Sequence, residues 1–581
     1  MWRTIVEALP GWKTLIWALF TFLIPYSTSK LFGWFHQKER MNRGWDEENK
    51  STVPNPPLTT NSSNSPSKPW TNWPPTDTLT SQLQVNLNLL SERLGCDSDY
   101  SVREFNIGGS AIRAAIVSMS KLSDSTIIQE HILKPLMLDL WKSNVTDMYA
   151  RTDFKVFIKD HVLPLSKINE AELVHEVIEK VITGSTALLI EGISGCLILG
   201  TSSTAPQNFE EPSSESLVRG PKIGFVNSLD ENISLLRSRA SDPNLRMLSF
   251  QVGERNKKNL VISYVEGIAD PNLVDEVKRR IEKIKIDDVL ESGYIDQLIE
   301  DNFMSPFPQV QSTERPDRVI GSLLEGRVAI LTNGSSYVSI VPVTFSMLLQ
   351  SPEDYYVHWI PSSLVRLLRF FAAFVALLGP AIYISFLSFH QGLIPTKLAI
   401  SMAGTREGVP FPPFLEALIM EVVIEILREA GLRLPKPVGQ TVGLVGGLVI
   451  GQAAVEAGIA SPLMVIVVSL TAISSFAIPQ YDAGIALRML RFVAMLSAAA
   501  LGIYGVVMFT LFLSIHFVKI KNFGIPYASP FVPYRPGDWK DLFIRAPLSS
   551  MKKRPRMMHP QDQTRQGNHS LKGKQSHDPS E

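Results

Sequence analysis

Four long apolar segments follow residue 364 and limit the folds that this chain can adopt. They lie at about 367–389, 438–455, 462–479 and 492–517. The first has 20 uncharged residues after Arg369, and a bilayer core of ~30 Å needs about 20 such residues in a helix. Four apolar segments this close together predict membrane-spanning helices, since one buried helix of a soluble core would account for only one of them.

Basic residues at both ends of this region predict its orientation. Arg366 and Arg369 flank the start of the first segment, and Lys519 and Lys521 follow the last one. Residues 519–581 contain 12 basic and 5 acidic residues. Because Lys and Arg accumulate in cytosolic loops, both ends are expected on the cytosolic side, which requires an even number of spans.

Two arginines oppose this orientation weakly. Arg488 and Arg491 lie between the third and fourth predicted spans, in a loop expected on the opposite side. The two ends carry more charge, and they determine the prediction.

An unusual helix is predicted at 412–432, between the first two spans. Glu421, Glu425 and Glu429 recur every four residues there and should form one stripe on the helix. Each charge at the bilayer midplane costs roughly 2.5–3.5 kcal/mol, so this stripe cannot face lipid. Two hypotheses remain. The helix is interfacial with its acids in water, or it is a pore-side or re-entrant helix whose acids line an aqueous path in an oligomer.

Glycines recur every four residues along the second predicted span. They are Gly439, Gly443, Gly447 and Gly451. Small residues at this spacing let two helices approach closely in lipid. Packing within one chain and packing between two chains both fit the pattern.

The remaining residues divide into four regions before the spans and one after them. We predict an N-terminal extension at 1–45, a linker at 46–81, soluble subdomains at 82–207 and 208–360, the transmembrane bundle at 361–518 and a basic cytosolic tail at 519–581. The extension contains a short apolar run at 15–24, which predicts a membrane-surface anchor or an extra span. The linker is rich in Ser, Thr, Asn and Pro, a composition typical of disorder.

Residues 82–351 alternate between short strand and helix patterns. Strand pairs are predicted near 100–116, 187–200, 247–265 and 327–341, the last around the turn-forming pair Asn333-Gly334. Helices are predicted at 168–182, 229–239 and 271–283. The predicted fold class is therefore a soluble N-terminal α/β region of two mixed subdomains, followed by an α-helical transmembrane bundle.

Motifs of common enzymes are absent from the sequence. It contains neither the phosphate-binding G-x-x-x-x-G-K-[ST] pattern nor H-E-x-x-H, and its ten His residues show no ligand spacing. The formal net charge is zero and only two cysteines are present, so neither nucleic-acid binding nor a disulfide framework is indicated. We expect no enzyme activity, no cofactor and no metal.

Specific phrases resemble the A-subunit family of bacterial spore germination receptors, the GerA family. The resemblance covers roughly residues 97–547, and its phrases stand at 291–295, 305–318, 324–330, 351–356, 406–412, 425–437, 451–455 and 461–468. They include the sequences SPFPQ, TERPDR, LEGRVAI, SPEDYY, REGVPFP and EILREAG.

This resemblance implies a multi-pass protein of the spore inner membrane. It implies partners, namely a transporter-like B subunit and a lipoprotein C subunit, and a response to small nutrients that starts germination. The A subunit would transduce the signal, as a homo-oligomer that forms a gated cation channel. A non-conducting scaffold and an accessory spore-membrane paralogue remain alternatives. A secondary transporter is disfavoured, since the sequence shows no inverted repeat.

Overall fold

The structure is a computed structural model that describes residues 77–95, 97–142, 154–202, 211–212, 214–435, 446–447 and 449–566. These residues lie in one compact unit, Ser67–Glu581. The predicted N-terminal extension, nearly all of the predicted linker and the predicted subdomain boundary at 207–208 lie outside the described residues.

The first soluble subdomain contains one antiparallel sheet with helices against it. Its helices are α1 (Leu83–Leu94) and α2 (Val174–Val181), with short helical turns at 125–142 and 154–162. Its strands are β1 (Tyr100–Asn106), β2 (Arg113–Met119), β3 (Ile168–Ala171), β4 (Thr186–Ile190) and β5 (Cys196–Leu199), in the order β1-β2-β4-β5-β3.

The second soluble subdomain repeats this topology. Its helices are α3 (Leu229–Ala240), α4 (Pro271–Glu282), α5 (Ser292–Ile299) and α6 (Pro316–Leu323). Its strands are β6 (Leu245–Val252), β7 (Lys258–Val265), β8 (Gln311–Thr313), β9 (Val328–Thr332) and β10 (Val338–Val341). The order β6-β7-β9-β10-β8 matches the first sheet strand for strand, so the two predicted mixed subdomains share one architecture.

The central strands of each sheet are buried on both faces, which explains their continuous apolar sequences. On β2, Ala115 and Val117 join the core beneath α1 and α2, whereas Ala114 and Ile116 join the core on the opposite face. Side chains alternate across a strand, so a strand covered on both faces needs apolar residues at every position. β4 is accordingly buried along its whole length.

A buried ion-pair cluster joins the two subdomains. The Arg237 guanidinium lies 3.0 Å from both Asp97 and Asp99, and the three side chains are exposed by 2%, 0% and 0%. The backbone N–H of Met247 also donates to Asp97, at 3.0 Å. Because these charges have left water, their mutual pairing holds the subdomains in one arrangement.

One helix of the first subdomain was predicted wrongly. Residues 168–182 form strand β3, followed by the shorter helix α2. Glu170 of β3 pairs with Leu197 of β5 at the edge of the sheet. This pairing partner lies far along the chain, so the local pattern alone could not indicate a strand there.

The helical bundle follows the second sheet. Its helices are α7 (Trp359–Ser388), α8 (Thr396–Thr405), α9 (Pro413–Arg433), α10 (Pro462–Phe476), α11 (Tyr481–Leu501) and α12 (Ile503–Lys519), and residues 449–456 are also helical. Within the described part of the chain, α7 and α11 are long and apolar enough to cross a membrane, and α10 and α12 are shorter apolar helices.

Contacts define two ends of this bundle. At the soluble-domain end, Gln480 before α11 donates to the carbonyl oxygen of Ser312 on β8, at 3.1 Å. At the far end, a Cβ on Gly502 would lie 2.9 Å from the Cβ of Phe389, just past α7. Helices α7 and α11 therefore run away from the soluble domain, and α12 returns to it.

The acidic helix α9 is a full-length component of the bundle. Its Glu416 contacts Ser461 at the far end, and its Arg428 contacts Ser475 towards the soluble-domain end. Its 21 residues extend roughly 31 Å at 1.5 Å per residue. Helix α9 is thus inserted among α7, α10 and α11, which differs from the interfacial hypothesis. Among the described residues, α7, α9, α10, α11 and α12 run between the two ends, and residues 449–456 add a shorter helical stretch.

The last predicted span is also corrected by the structure. Residues 492–517 do not form one helix, because Gly502 has φ 61° and ψ −138° and separates α11 from α12. A positive φ of this kind is natural for glycine and strained for other residues. Helix α11 begins at Tyr481, so Arg488 and Arg491 lie within a bundle helix instead of a loop.

The residues after α12 fold back onto the second subdomain. Strands β11 (Lys521–Asn522) and β12 (Ile525–Pro526) form a short hairpin. The buried Tyr527 donates to the carbonyl oxygen of Pro308 at 2.9 Å, and Arg554 donates to that of Leu324 at 2.8 Å. Of the predicted basic tail at 519–581, the structure describes residues 519–566. This part of the tail packs against the rest of the protein. Lys519 and Lys521 remain exposed.

Candidate functional site

The three predicted acids of α9 differ in their exposure. The side chains of Glu421, Glu425 and Glu429 are exposed by 2%, 41% and 62%. Four residues advance a helix by about 40° more than a full turn, so a four-residue repeat winds slowly around it. The stripe therefore begins inside the bundle and emerges at its surface towards the soluble-domain end.

Glu421 belongs to a buried contact that joins three helices. The Nη1 of Arg491 on α11 lies 2.5 Å from Oε2 of Glu421, and both side chains are 2% exposed. The Nε of Arg491 donates to the carbonyl oxygen of Ala376 on α7, at 2.6 Å. That carbonyl would normally accept from residue 380 within the helix, but residue 380 is Pro380, which has no N–H. Arg491 thus donates to the Ala376 carbonyl, which Pro380 leaves without a partner inside α7.

Glu425 pairs with two arginines at the next level of the bundle. It lies 3.2 Å from Arg488 on α11 and 3.8 Å from Arg428 on its own helix. Arg428 also donates to Oγ of Ser475 at 2.8 Å and stacks over the ring of Phe476, with 4.5 Å to the ring centroid. Helices α9, α10 and α11 are therefore connected by polar contacts at this level.

Glu429 forms a surface pair at the end of the stripe. It accepts from Arg433 on the next turn at 2.6 Å, and the two side chains are 62% and 80% exposed. An exposed i,i+4 pair stabilises a helix by only about 0.3–0.5 kcal/mol. Glu429 consequently keeps a largely open carboxylate.

A fourth acid, Glu416, was missed by the sequence analysis. It is fully buried at the far end of the bundle and accepts from both the backbone N–H and the Oγ of Ser461, each at 2.6 Å. Arg406 lies 3.4 Å from its other oxygen, and the Tyr383 hydroxyl contacts Ser461 at 3.2 Å. Its position five residues before Glu421 falls outside the four-residue repeat, and its partners are distant in sequence.

The glycine repeat is only partly described. Gly439 and Gly443 lie outside the described residues. A Cβ on Gly451 would make an ordinary 3.6 Å contact with a methyl group of α10, whereas a Cβ on Gly447 would meet no atom within 4 Å. Among the described residues of one chain, Gly447 therefore has no side-chain neighbour.

The two arginines that were predicted to set the topology are buried in a network at the base of α7. Arg366 lies 3.1 Å from Asp354 and 2.7 Å from Asp541, and its side chain is fully buried. Arg369 lies 2.8 Å from Asp354. Asp541 comes from the returning C-terminal segment. The network therefore ties α7 to both the soluble domain and the segment after α12.

The arrangement offers ion pairing and helix coupling, and it lacks the ligand clusters of a metal centre. Among the described residues, no group of three or more His, Cys, Asp or Glu side chains could hold a metal ion. Charged side chains with matched partners can instead switch between two arrangements when helices move.

The chain is similar to known proteins over most of its length. Residues 88–557 match the profile of the family described as Bacillus/Clostridium GerA spore germination protein. The chain is 45% identical to spore germination protein B1 of Bacillus subtilis (strain 168) over 486 residues, which is 84% of this chain and 99% of that protein. It is 46% identical to spore germination protein A1 of the same organism over 425 residues, 71% of this chain and 88% of that protein.

Two further matches concern a membrane protein and a solved domain. The chain is 45% identical to the uncharacterized membrane protein YfkQ of Bacillus subtilis (strain 168), over 81% of this chain and 89% of that one. The crystal structure of the N-terminal domain of the A subunit of the Bacillus megaterium spore germinant receptor GerK3 matches with a TM-score of 0.37 and 30% identity. It covers 46% of this chain and 98% of the solved one.

Proposed function

From the premise that the chain belongs to the GerA family of spore germination proteins, we propose that it is the A subunit of a nutrient germinant receptor. In this role it transduces nutrient binding into germination. The observation that carries the proposal is the match over residues 88–557, which includes both soluble subdomains and the whole helical bundle. Relatives B1 and A1 are named spore germination proteins, and none of the relatives' names denotes an enzyme.

The proposed location is the spore inner membrane. The soluble subdomains and the C-terminal segment would face the core of the spore, on the cytosolic side. Support comes from the return of α12 to the soluble-domain end, where Lys519 and Lys521 are exposed. Basic residues at that end agree with the positive-inside rule. Relative YfkQ is named a membrane protein.

The proposed mechanism is gating of a monovalent cation path in an oligomer of this chain. A ligand shifts a closed–open equilibrium only through different affinities for the two states. Glu425 and Glu429 have the exposed carboxylates that a path between chains would need. Glu421 is buried against Arg491, so we assign it to the closed state as a clasp between α9 and α11.

The proposed partners are a transporter-like B subunit, which would bind the nutrient, and a lipoprotein C subunit. The network of Arg366, Asp354 and Asp541 offers a physical route for their signal. It couples the soluble domain and the C-terminal segment to α7, and α7 contacts Arg491 through the Ala376 carbonyl. A displacement of the soluble domain would therefore reach the clasp.

Cation flux through the purified full-length protein in liposomes tests this proposal. The double variant Glu425→Gln/Glu429→Gln should lose flux if these carboxylates line the path. The variant Glu421→Gln should raise basal flux if it opens the clasp. The exposed substitution Glu254→Gln on the soluble domain removes one charge, as Glu421→Gln does, and should leave the flux unchanged.

A second function has one observation in its favour. In a single chain, each of the three acids predicted on the stripe already has an arginine partner, as a non-conducting scaffold or an accessory paralogue would require. Liposomes that contain correctly folded, oligomeric wild-type protein, with or without its B and C partners, would then show no flux above empty liposomes. That result would favour the non-conducting scaffold or accessory paralogue over the channel.

A further inference from the structure

Helices α9 and α11 bury more positive than negative charge at one level of the bundle. Among the described residues, the acids that pair with Arg428, Arg488 and Arg491 are Glu421 and Glu425. Glu421 lies 2.5 Å from Arg491, and Glu425 lies 3.2 Å from Arg488. Arg428 has the longest ion pair of the three, 3.8 Å to Glu425, so its positive charge is the one left over.

This unmatched cation is removed from water. The side chain of Arg428 is 8% exposed, and that of Arg491 is 2% exposed. One of the Arg428 nitrogens, Nη2, donates to Ser475 at 2.8 Å. Burying a charge is expensive unless it is both paired and hydrogen-bonded.

Four N–H-bearing nitrogens of this group have no acceptor among the described residues. They are Nε and Nη1 of Arg428, Nε of Arg488 and Nη2 of Arg491, and Oε1 of Glu421 has no donor there. An unsatisfied buried donor costs about 1–3 kcal/mol, and more when it is charged. The donors belong to two different helices, α9 and α11, so a single acceptor between them would relieve both side chains.

We propose that Arg428 and Arg491, with Arg488 beside them, form a binding site for one small monovalent anion of the carboxylate or halide class. One negative charge would balance the three arginines and two glutamates. The Phe476 ring beneath the Arg428 guanidinium supplies an apolar wall. Glu425 at the edge of the group is 41% exposed, which gives the site a route to solvent. Occupancy of the site stabilises the contact between α9 and α11.

Thermal unfolding of the purified full-length protein in detergent tests this inference. Sodium acetate and sodium chloride are titrated separately at constant ionic strength, against the sodium salt of a bulky sulfonate. A ligand that binds only the folded state raises the Tm with its concentration. We expect a saturating rise for wild type, with acetate and chloride as separate arms that identify the preferred class.

Arg428→Gln is the informative variant, because it leaves Arg491–Glu421 and Arg488–Glu425 as one-to-one pairs. It should lose the anion-dependent rise. Without added anion it should unfold at or above the wild-type Tm, since the unmatched charge is gone. Arg433→Gln removes the same charge from an 80% exposed side chain on the same helix and should respond like wild type.

Three results would overturn the site. The first is an anion-dependent rise in the Tm of Arg428→Gln that equals that of wild type. The second is a wild-type Tm that does not change with acetate or chloride, as expected if only water fills the space. The third is a Tm of Arg428→Gln, without added anion, well below that of wild type. Should Arg428→Gln not fold, Arg428→Lys keeps the charge but loses two of the donor nitrogens. It should weaken the acetate response, and an unchanged response would equally contradict the proposal. The readout needs no ion flux, so it is independent of the proposed channel.

Discussion

Arg491 on α11 fills the hydrogen-bonding vacancy that Pro380 creates on α7. The Ala376 carbonyl lies one turn before Pro380 and accepts from Nε of Arg491 at 2.6 Å. In an apolar bundle, a backbone carbonyl without a donor costs free energy. A proline within a helix is therefore tolerated where a neighbouring helix supplies the donor. The same guanidinium pairs with Glu421, so the proline indirectly fixes where the buried ion pair can form.

This relationship predicts coupling between the two positions. Pro380→Ala restores an N–H that can bond Ala376 within α7. Its stabilising effect should be larger in an Arg491→Met background than in wild type, because only there has the carbonyl lost its other donor. Thermal unfolding of the four proteins of this double-mutant cycle should give an interaction of about 1 kcal/mol, the usual net value of one hydrogen bond. Strictly additive shifts would show that Arg491 does not serve this carbonyl.

The Glu421–Arg491 pair should behave as a buried pair. Glu421→Gln or Arg491→Met alone leaves one charge buried without its partner, which typically costs 3–5 kcal/mol. The combined variant removes both charges and should recover much of that loss. Glu429→Gln and Arg433→Met form the matched exposed pair, and each should change stability by less than about 1 kcal/mol. Detergent-solubilised full-length protein and thermal unfolding provide the measurement, and similar losses at both pairs would argue against the buried contact.

Much of the fold could be predicted from local patterns. The hairpin around Asn333-Gly334 appears as β9 and β10, and the helix predicted at 271–283 appears as α4. Both depend on short-range signals, a turn-forming dipeptide and an N-terminal proline with apolar periodicity. The prediction for residues 168–182 was wrong because β3 forms by pairing with β5. In that pairing Glu170 lies opposite Leu197, 27 residues later in the chain.

The charged site was harder to predict because its partners are remote in sequence. The acidic stripe was found from its spacing, but Arg491 is 70 residues from Glu421. Arg488 and Arg491 were placed in a loop because they are charged, although the helix that contains them is apolar enough to cross a membrane. Once each arginine is paired with an acid of α9, the same residues fit a bundle helix. Glycine 502, not charge, ends that helix.

The interface between the soluble subdomains should depend on Arg237. Arg237→Met leaves Asp99 buried without its cation and leaves Asp97 with Arg246 at 3.7 Å, so we expect a loss of about 3–5 kcal/mol in the free energy of unfolding. Arg255→Met is the control, since that side chain is 85% exposed and 3.6 Å from Asp287. Thermal unfolding of the full chain should show a much lower Tm only for Arg237→Met. Equal Tm values for the two variants would contradict the proposed importance of the interface.

The second subdomain should lose stability as pH rises towards neutrality. Burial raises the pKa of Asp296 on α5 from 3.8 to about 7, although its Oδ2 accepts from Ser312 at 2.9 Å. The folded state therefore holds a proton that the unfolded state has released between these two values, so the free energy of unfolding falls from about pH 4 to about pH 7 and then levels. Asp296→Asn should flatten this part of a Tm–pH profile. Asp275→Asn, at a side chain 76% exposed, should keep the wild-type slope, and a wild-type slope in Asp296→Asn would contradict the assignment.

The glycine-rich helix before α10 offers a test of how copies of the chain pack together. A Cβ on Gly446 would lie 3.2 Å from a methyl group of Leu427 on α9, whereas a Cβ on Gly447 would meet nothing within 4 Å. Gly446→Val should therefore lower the Tm, because its added methyl groups press into α9. Gly447→Val should not lower the Tm of the single chain but should reduce cross-linked oligomers in liposomes, if this face packs against a second copy. The intrinsic helix preference of Val over Gly is common to both variants, so it cancels in the comparison. Unchanged cross-linking in Gly447→Val would assign this face to lipid or to another partner and would leave the oligomer to be built by other helices.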